Sequence, residues 1–108
     1  MTQIGSMSLQ EHEHEHRRWT FVTNHTQVLL CIATNPQIRL RDIAAHVGIT
    51  ERAAQRIVAD LVEAGYVKRE RTGRRNHYAI DRGREMRHPA QFGFEIGPLL
   101  DLLKLPND

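Results

Sequence analysis

The stretch IAAHVGITERAAQRIVADLVEAGYV, residues 43–67, holds two apolar periodicities of helical spacing separated by a single glycine. Ile43, Ala44 and Val47 share one face of a helix predicted from about Arg41 to Val47. Gly48 ends that helix, since glycine enters the left-handed region of backbone space without steric cost. Thr50 stands where an N-cap belongs, its hydroxyl placed to accept from a free amide of the next helix's first turn. Glu51 follows where the helix dipole favours a negative charge. Ala54, Ile57, Val58 and Leu61 then form one stripe, and Gly65 stops the helix. If the stripe faces a core, Glu51, Arg52, Gln55 and Arg56 face outward.

Working outward, Tyr66–Arg71 and Asn76–Ile80 are both β-compatible, and Thr72-Gly73-Arg74-Arg75 carries the glycine that a tight reversal needs. A hairpin is predicted. Upstream, Asn24 is placed to cap a first helix with Gln27 as its capping-box partner, followed by an apolar block from Val28 to Ala33. Asn35 closes that helix because the proline at 36 pushes it out of helical conformation. Gln37 to Leu40 alternate polar and apolar, which predicts a brief strand. Downstream, residues 82–94 are polar and interrupted by Gly83, Pro89 and Gly93, and read as a linker. Ile96, Leu99, Leu100 and Leu103 then fall at helical spacing around Pro98, predicting a last helix over 95–105.

The implied fold class is mainly α with a small β-hairpin wing, an α+β winged helix-turn-helix over residues 17–81. Residues 1–16, with the run Glu11-His12-Glu13-His14-Glu15-His16, hold too few apolar side chains to offset the entropy of ordering them and read as a flexible tail. The 108-residue length bounds the chain to one domain with one core. A single cysteine, Cys31, excludes an internal disulfide and a thiolate-rich structural zinc site. With no stretch of apolar residues long enough to span a bilayer and no basic-then-apolar start, a cytoplasmic location is expected.

The formal net charge of +2 conceals an asymmetry: Arg39 to Arg87 holds twelve Lys/Arg against seven Asp/Glu, whereas residues 1–16 hold three Glu and no Lys or Arg. Five cations, Lys68, Arg69, Arg71, Arg74 and Arg75, crowd the predicted hairpin, opposed there only by Glu70. Such a tip suits phosphate or minor-groove contact, because each neutralised phosphate releases condensed counterions whatever the base sequence. A short helix pair with a tight turn lets its second helix enter the major groove, with Thr50 and Glu51 at the entering end. There arginine reads guanine and glutamine reads adenine bidentately, which makes Arg52, Gln55 and Arg56 the candidate base readers. His77 and Tyr78 on the returning strand are candidates for the sugar-phosphate backbone.

Ile43-Ala44, Gly48-Ile49-Thr50, Arg56, Ile57, Leu61, Ala64-Gly65-Tyr66-Val67 and Gly73-Arg74-Arg75-Asn76-His77-Tyr78 together resemble winged helix regulators of the MarR/ArsR-like kind of bacteria and archaea. The resemblance covers roughly residues 19–81. It implies a repressor or activator acting on double-stranded DNA as a homodimer, with Arg52, Gln55 and Arg56 at the recognition positions and Arg71, Arg74 and Arg75 on the wing. MarR members have long helices flanking the winged core, whereas both flanks here are short. Dimerisation accordingly falls to the terminal segments, through Trp19, Phe21, Ile96, Leu99, Leu100 and Leu103. Metal-sensing ArsR members use paired cysteines, which this chain lacks.

A winged helix can serve as a protein–protein interaction module without specific DNA binding, since fold does not fix function. Catalysis finds no support: the sequence holds no phosphate-binding glycine loop, no nucleophile with a base and no catalytic metal-ligand set. No cofactor is expected. The alternating Glu-His run is read as tail rather than metal site, and Cys31, inside an apolar helix block, as a small buried hydrophobe rather than a redox sensor. The sequence names no small-molecule effector.

Overall fold

The computed structural model describes residues 19–103, and the tail read at 1–16 lies outside them. Among the described residues, four α-helices and one hairpin follow in order: α1 (Asn24–Thr34), α2 (Leu40–Val47), α3 (Glu51–Glu63), β1 (Val67–Thr72), β2 (Arg75–Ile80) and α4 (Ile96–Leu103). A single turn of 3₁₀ helix, Pro89–Gln91, lies between β2 and α4. The order and the antiparallel pairing of β1 with β2 make a winged helix-turn-helix.

The helix ends follow from the residues that cap them. Thr23, one position before the expected Asn24, is the N-cap of α1, its Oγ1 accepting from the amide of Thr26 at 3.3 Å. Both residue types cap well, and Thr23 is the one left extended at the helix boundary. Asn35, forced extended by Pro36, ends the helix. Gly48 closes α2 at φ +86. Gly65 takes φ +88 after α3, with its amide donating to Val62 and that of Tyr66 donating to Leu61, the paired bonds of a Schellman stop. A Cβ on Gly65 would lie 2.6 Å from Cζ of Arg84, whose guanidinium packs over this helix end and suits its dipole.

Three helices close around one core. Val28, Leu29, Cys31 and Ile32 of α1 meet Ile43 and Ala44 of α2 and the α3 stripe Ala54, Ile57, Val58 and Leu61, all buried. Tyr66, Val67 and Tyr78 seal the core from the hairpin base. Tyr78, a candidate backbone contact in the sequence, is only 2% exposed and belongs to this core. The pairing of Arg69 with Tyr78 explains why: Val67, Tyr78 and Ile80 share the inner face of the ribbon, and His77 falls on the other.

The strand expected over Gln37–Leu40 is not formed. The alternation was a burial pattern, with Ile38 and Leu40 packed on the core and Gln37 and Arg39 exposed. Because α2 starts at Leu40, too little extended chain is left for a ladder, and β2 makes one backbone bond here, Tyr78 N–H to the carbonyl of Pro36 at 2.9 Å.

Residues 82–94 do not span as a linker; they fold back. Ile96 donates to Arg84, Gly97 to Arg82 and Met86 to Phe94, each at 2.9 Å, and the Tyr66 hydroxyl donates to the Glu85 carbonyl. Arg82 donates from Nη2 to the Gly97 carbonyl at 3.1 Å and to Asp101 at 2.7 Å, holding α4. The helix packs on α1 and buries Ile96 and Leu100 at 4% and 0% exposure. Those two side chains are therefore part of the monomer's core and are withdrawn from the dimer face predicted for them. Leu99 and Leu103 are half-buried, whereas Trp19, Phe21, Phe92, Phe94 and Leu102 stand exposed.

This placement of α4 is open to a direct test. Leu100→Ala is expected to lower the unfolding free energy by about 2–5 kcal/mol in urea titrations. Leu102→Ala on the same helix is expected to change it by no more than about 0.5 kcal/mol. Equally small effects would detach α4 from the core.

Candidate nucleic-acid interface

The turn Gly48-Ile49-Thr50 brings α2 and α3 into contact and fixes where α3 begins. Thr50 is extended at φ −77 and ψ 160, and its Oγ1 accepts from the amide of Ala53 at 3.0 Å. Its hydroxyl is thus already committed to the helix. Ile49 donates through its backbone to the Ala44 carbonyl at 3.0 Å, so the turn is pinned from the α2 side as well.

With the α3 stripe buried against α1 and α2, the opposite face is set by the helical period. Glu51, Arg52, Gln55 and Arg56 are all exposed, as their spacing predicts. None of the four forms an ion pair or side-chain hydrogen bond among the described residues. Their polar groups are left to water or to a partner.

The wing is a six-pair antiparallel ribbon from Val67↔Ile80 to Thr72↔Arg75, closed by Gly73 and Arg74. Gly73 takes φ +64 while Arg74 stays at negative φ, the arrangement of a two-residue turn with glycine first. The register distributes the cations. Arg69 and Arg71 stand on the face of Tyr78 and Asn76, Lys68 and Arg75 on the face of His77, and Arg74 at the tip. All five, and His77, are exposed. Arg71 leans over the tip, its Nε donating to the Gly73 carbonyl at 3.4 Å. Arg71, Arg74 and Arg75 therefore gather at the tip of the ribbon, while Lys68 and Arg69 lie on opposite faces near its base.

A residue that sequence reading passed over joins this surface. Gln37, Arg39, Arg74, Arg75 and Asn76 line one open groove of about 300 Å³ between the α1–α2 connection and the wing. The only signal for Arg39 in the sequence was its position just before a helix, which by itself speaks for no role.

A larger groove of about 720 Å³ lies among the start of α1, the end of α3 and the returning loop. His25 Nε2 and Asp60 Oδ2 meet there at 2.9 Å, tying α1 to α3. None of the candidate DNA-contact residues lines it, whereas Ile96 and Leu99 of the expected dimer face do. Among the described residues, no group of three or more His, Cys, Asp or Glu stands close enough to hold a metal ion, and the Glu-His run of 11–16 lies outside them. Cys31 is buried within the core, and that burial pushes its thiol up in pKa, away from the reactive thiolate.

The helix pair, the outward polar face of α3 and the basic wing coincide with the comparison against protein families. The sequence model of the MarR family matches residues 22–75, half of the chain. The chain belongs to the MarR family. A search of curated proteins gave no match. As a MarR family protein, the chain falls in the general class of DNA-binding transcription regulators, and the match runs from just before α1 to the first residue of β2. It stops short of α4, whose packing is known only from the structure. No helix of the described residues is long and apolar enough to cross a membrane.

For this MarR family protein, Thr50→Ala is expected to reduce stability by about 1 kcal/mol in denaturant titration, with Thr50→Ser close to the wild type. A full-size loss in the serine variant would show that the methyl group, not the cap, matters. Cys31 in the native protein is expected to react with a maleimide only on unfolding, at a rate that follows denaturant. Rapid labelling in buffer would contradict its burial.

Proposed function

We propose that this MarR family protein binds double-stranded DNA sequence-specifically as a homodimer, α3 entering the major groove and the wing lying on the backbone or minor groove. The observation that carries the reading is the two-sidedness of α3. Its four apolar side chains are buried while Glu51, Arg52, Gln55 and Arg56 are exposed from the N-terminal half, the part that meets bases in helix-turn-helix proteins. Arg52 and Arg56 suit guanine edges and Gln55 suits adenine. Thr50 contributes by holding the helix start, and Glu51 sits at the same entering end. Lys68, Arg69, Arg71, Arg74, Arg75 and His77 supply the wing's contacts to the phosphates or groove walls.

Dimerisation is proposed through the exposed apolar residues at the two ends of the described chain. Phe94, Leu99 and Leu102 line one shallow groove beside the exposed Phe92. Trp19 and Phe21 stack edge to face at 4.9 Å before α1. Regulators of this family are typically dimers, and exposed aromatic clusters of this kind mark association surfaces. A two-fold dimer on DNA would set its two α3 helices roughly 34–36 Å apart, one helical turn. The same exposed surface is what a protein–protein module would use, but the uncompensated cations of the wing favour nucleic acid.

The test uses an operator selected from random duplexes. Arg56→Ala is expected to reduce discrimination between operator and random duplex by about 1–3 kcal/mol. Arg74→Ala with Arg75→Ala is expected to weaken binding to all duplexes and lower the salt slope by up to about two units. Light scattering is expected to give twice the monomer mass. An unchanged slope in the double variant would remove the wing from the contact surface.

A further inference from the structure

The proposed function leaves two seats open for the wing tip, the minor groove or the phosphate backbone. Beside it lies a groove lined by arginines from two elements. Three guanidinium-bearing residues line it: Arg39 from the residue before α2, and Arg74 and Arg75 from the wing. Gln37 and Asn76 add neutral polar groups, and no carboxylate lines the site. None of the three arginines forms an ion pair among the described residues. Like charges held close on separate elements repel, so the arrangement favours an anion between them.

A backbone bond joins the two walls near their base. Tyr78, buried at the hairpin base, donates its amide to the Pro36 carbonyl at 2.9 Å, two and three residues from the groove-lining Ile38 and Arg39. Asn35 Oδ1 accepts from the Gln37 amide at 3.1 Å, shaping the other side of that connection. The hairpin base is therefore tied to the connection that carries Arg39. Guanidinium is the side chain that grips phosphate oxygens in a planar, bidentate way, and it remains charged at any physiological pH.

We infer that this groove seats a backbone phosphate of duplex DNA, held jointly by Arg39 before α2 and by Arg74 and Arg75 of the wing. The inference rests on the DNA-binding reading: a backbone that reaches Arg74 and Arg75 reaches the groove they line. It adds Arg39, with Gln37 and Asn76 beside it, to the contact surface. It also gives the α1–α2 connection a role besides joining helices.

The test is a titration of random-sequence duplex with the wild type, Arg39→Gln, Arg39→Lys and Arg87→Gln over a range of KCl concentrations. Arg87 is exposed and lines the other groove, so its variant controls for loss of one charge. Arg39 is exposed and makes no side-chain cap bond to α2, so the melting temperature of Arg39→Gln is expected to match the wild type. Arg39→Gln is expected to lower the slope of log affinity against log salt by about 0.9, the value for one phosphate contact. Arg39→Lys is expected to restore the slope, and Arg87→Gln to leave it unchanged. A wild-type slope in Arg39→Gln, or an equal loss in Arg87→Gln, would overturn the phosphate seat while leaving DNA binding standing. No duplex binding by the wild type would overturn the DNA reading itself and this inference with it.

Discussion

α3 can bury Ala54, Ile57, Val58 and Leu61 only by turning Glu51, Arg52, Gln55 and Arg56 to the outside, and the rest of the domain is arranged around that constraint. The helical period makes the two faces inseparable. Core packing on α1 and α2 therefore does two things at once: it stabilises the fold by burying apolar surface and aims a polar face at a partner. The Thr50 cap and the Gly48 turn fix where along the chain that face begins. The hairpin is attached to the same core through Tyr66, Val67 and Tyr78, so the wing's position is tied to α3 rather than to a flexible arm.

The division of labour within the hairpin follows from its register. Residues at its base alternate toward the core, and the alternation delivers Tyr78 inward and His77 outward one position apart. Beyond the base the ribbon has no core to cover, and there the chain turns cationic. A hairpin end covered in charge resists edge-to-edge pairing with another chain, and the same charges are available to phosphate. Both demands favour the same residues, which is why charge alone did not decide between them and the adjoining helix pair was needed.

Most of the winged core was legible because its signals are local. Caps, glycine stops and apolar stripes act within one or two turns, and residues 43–67 contain a complete set. The misreadings arose where long-range packing decides. Ile38 and Leu40 alternate because both reach the core from an irregular segment, not because a strand pairs there. The polar stretch 82–94 carries no apolar period, and its fold back comes from backbone bonds and from Arg82 and Tyr66, partners far apart in sequence. That return is what let Ile96 and Leu100 reach the core and left Phe92, Phe94 and Leu102 outside. Arg39 was invisible for the same reason, since the wing residues that share its groove, Arg74, Arg75 and Asn76, lie more than thirty residues away in sequence.

If the exposed face of α3 and the wing tip meet DNA together, amide chemical-shift mapping shows it most directly. The ¹⁵N-labelled protein would be titrated with a selected duplex. The expected result is perturbation centred on residues 50–56 and 71–76, with the amides around Phe92, Phe94 and Leu102 little changed by DNA. Perturbation confined to the segment around Phe92 and α4, or none in α3 and the wing at saturating duplex, would contradict the account.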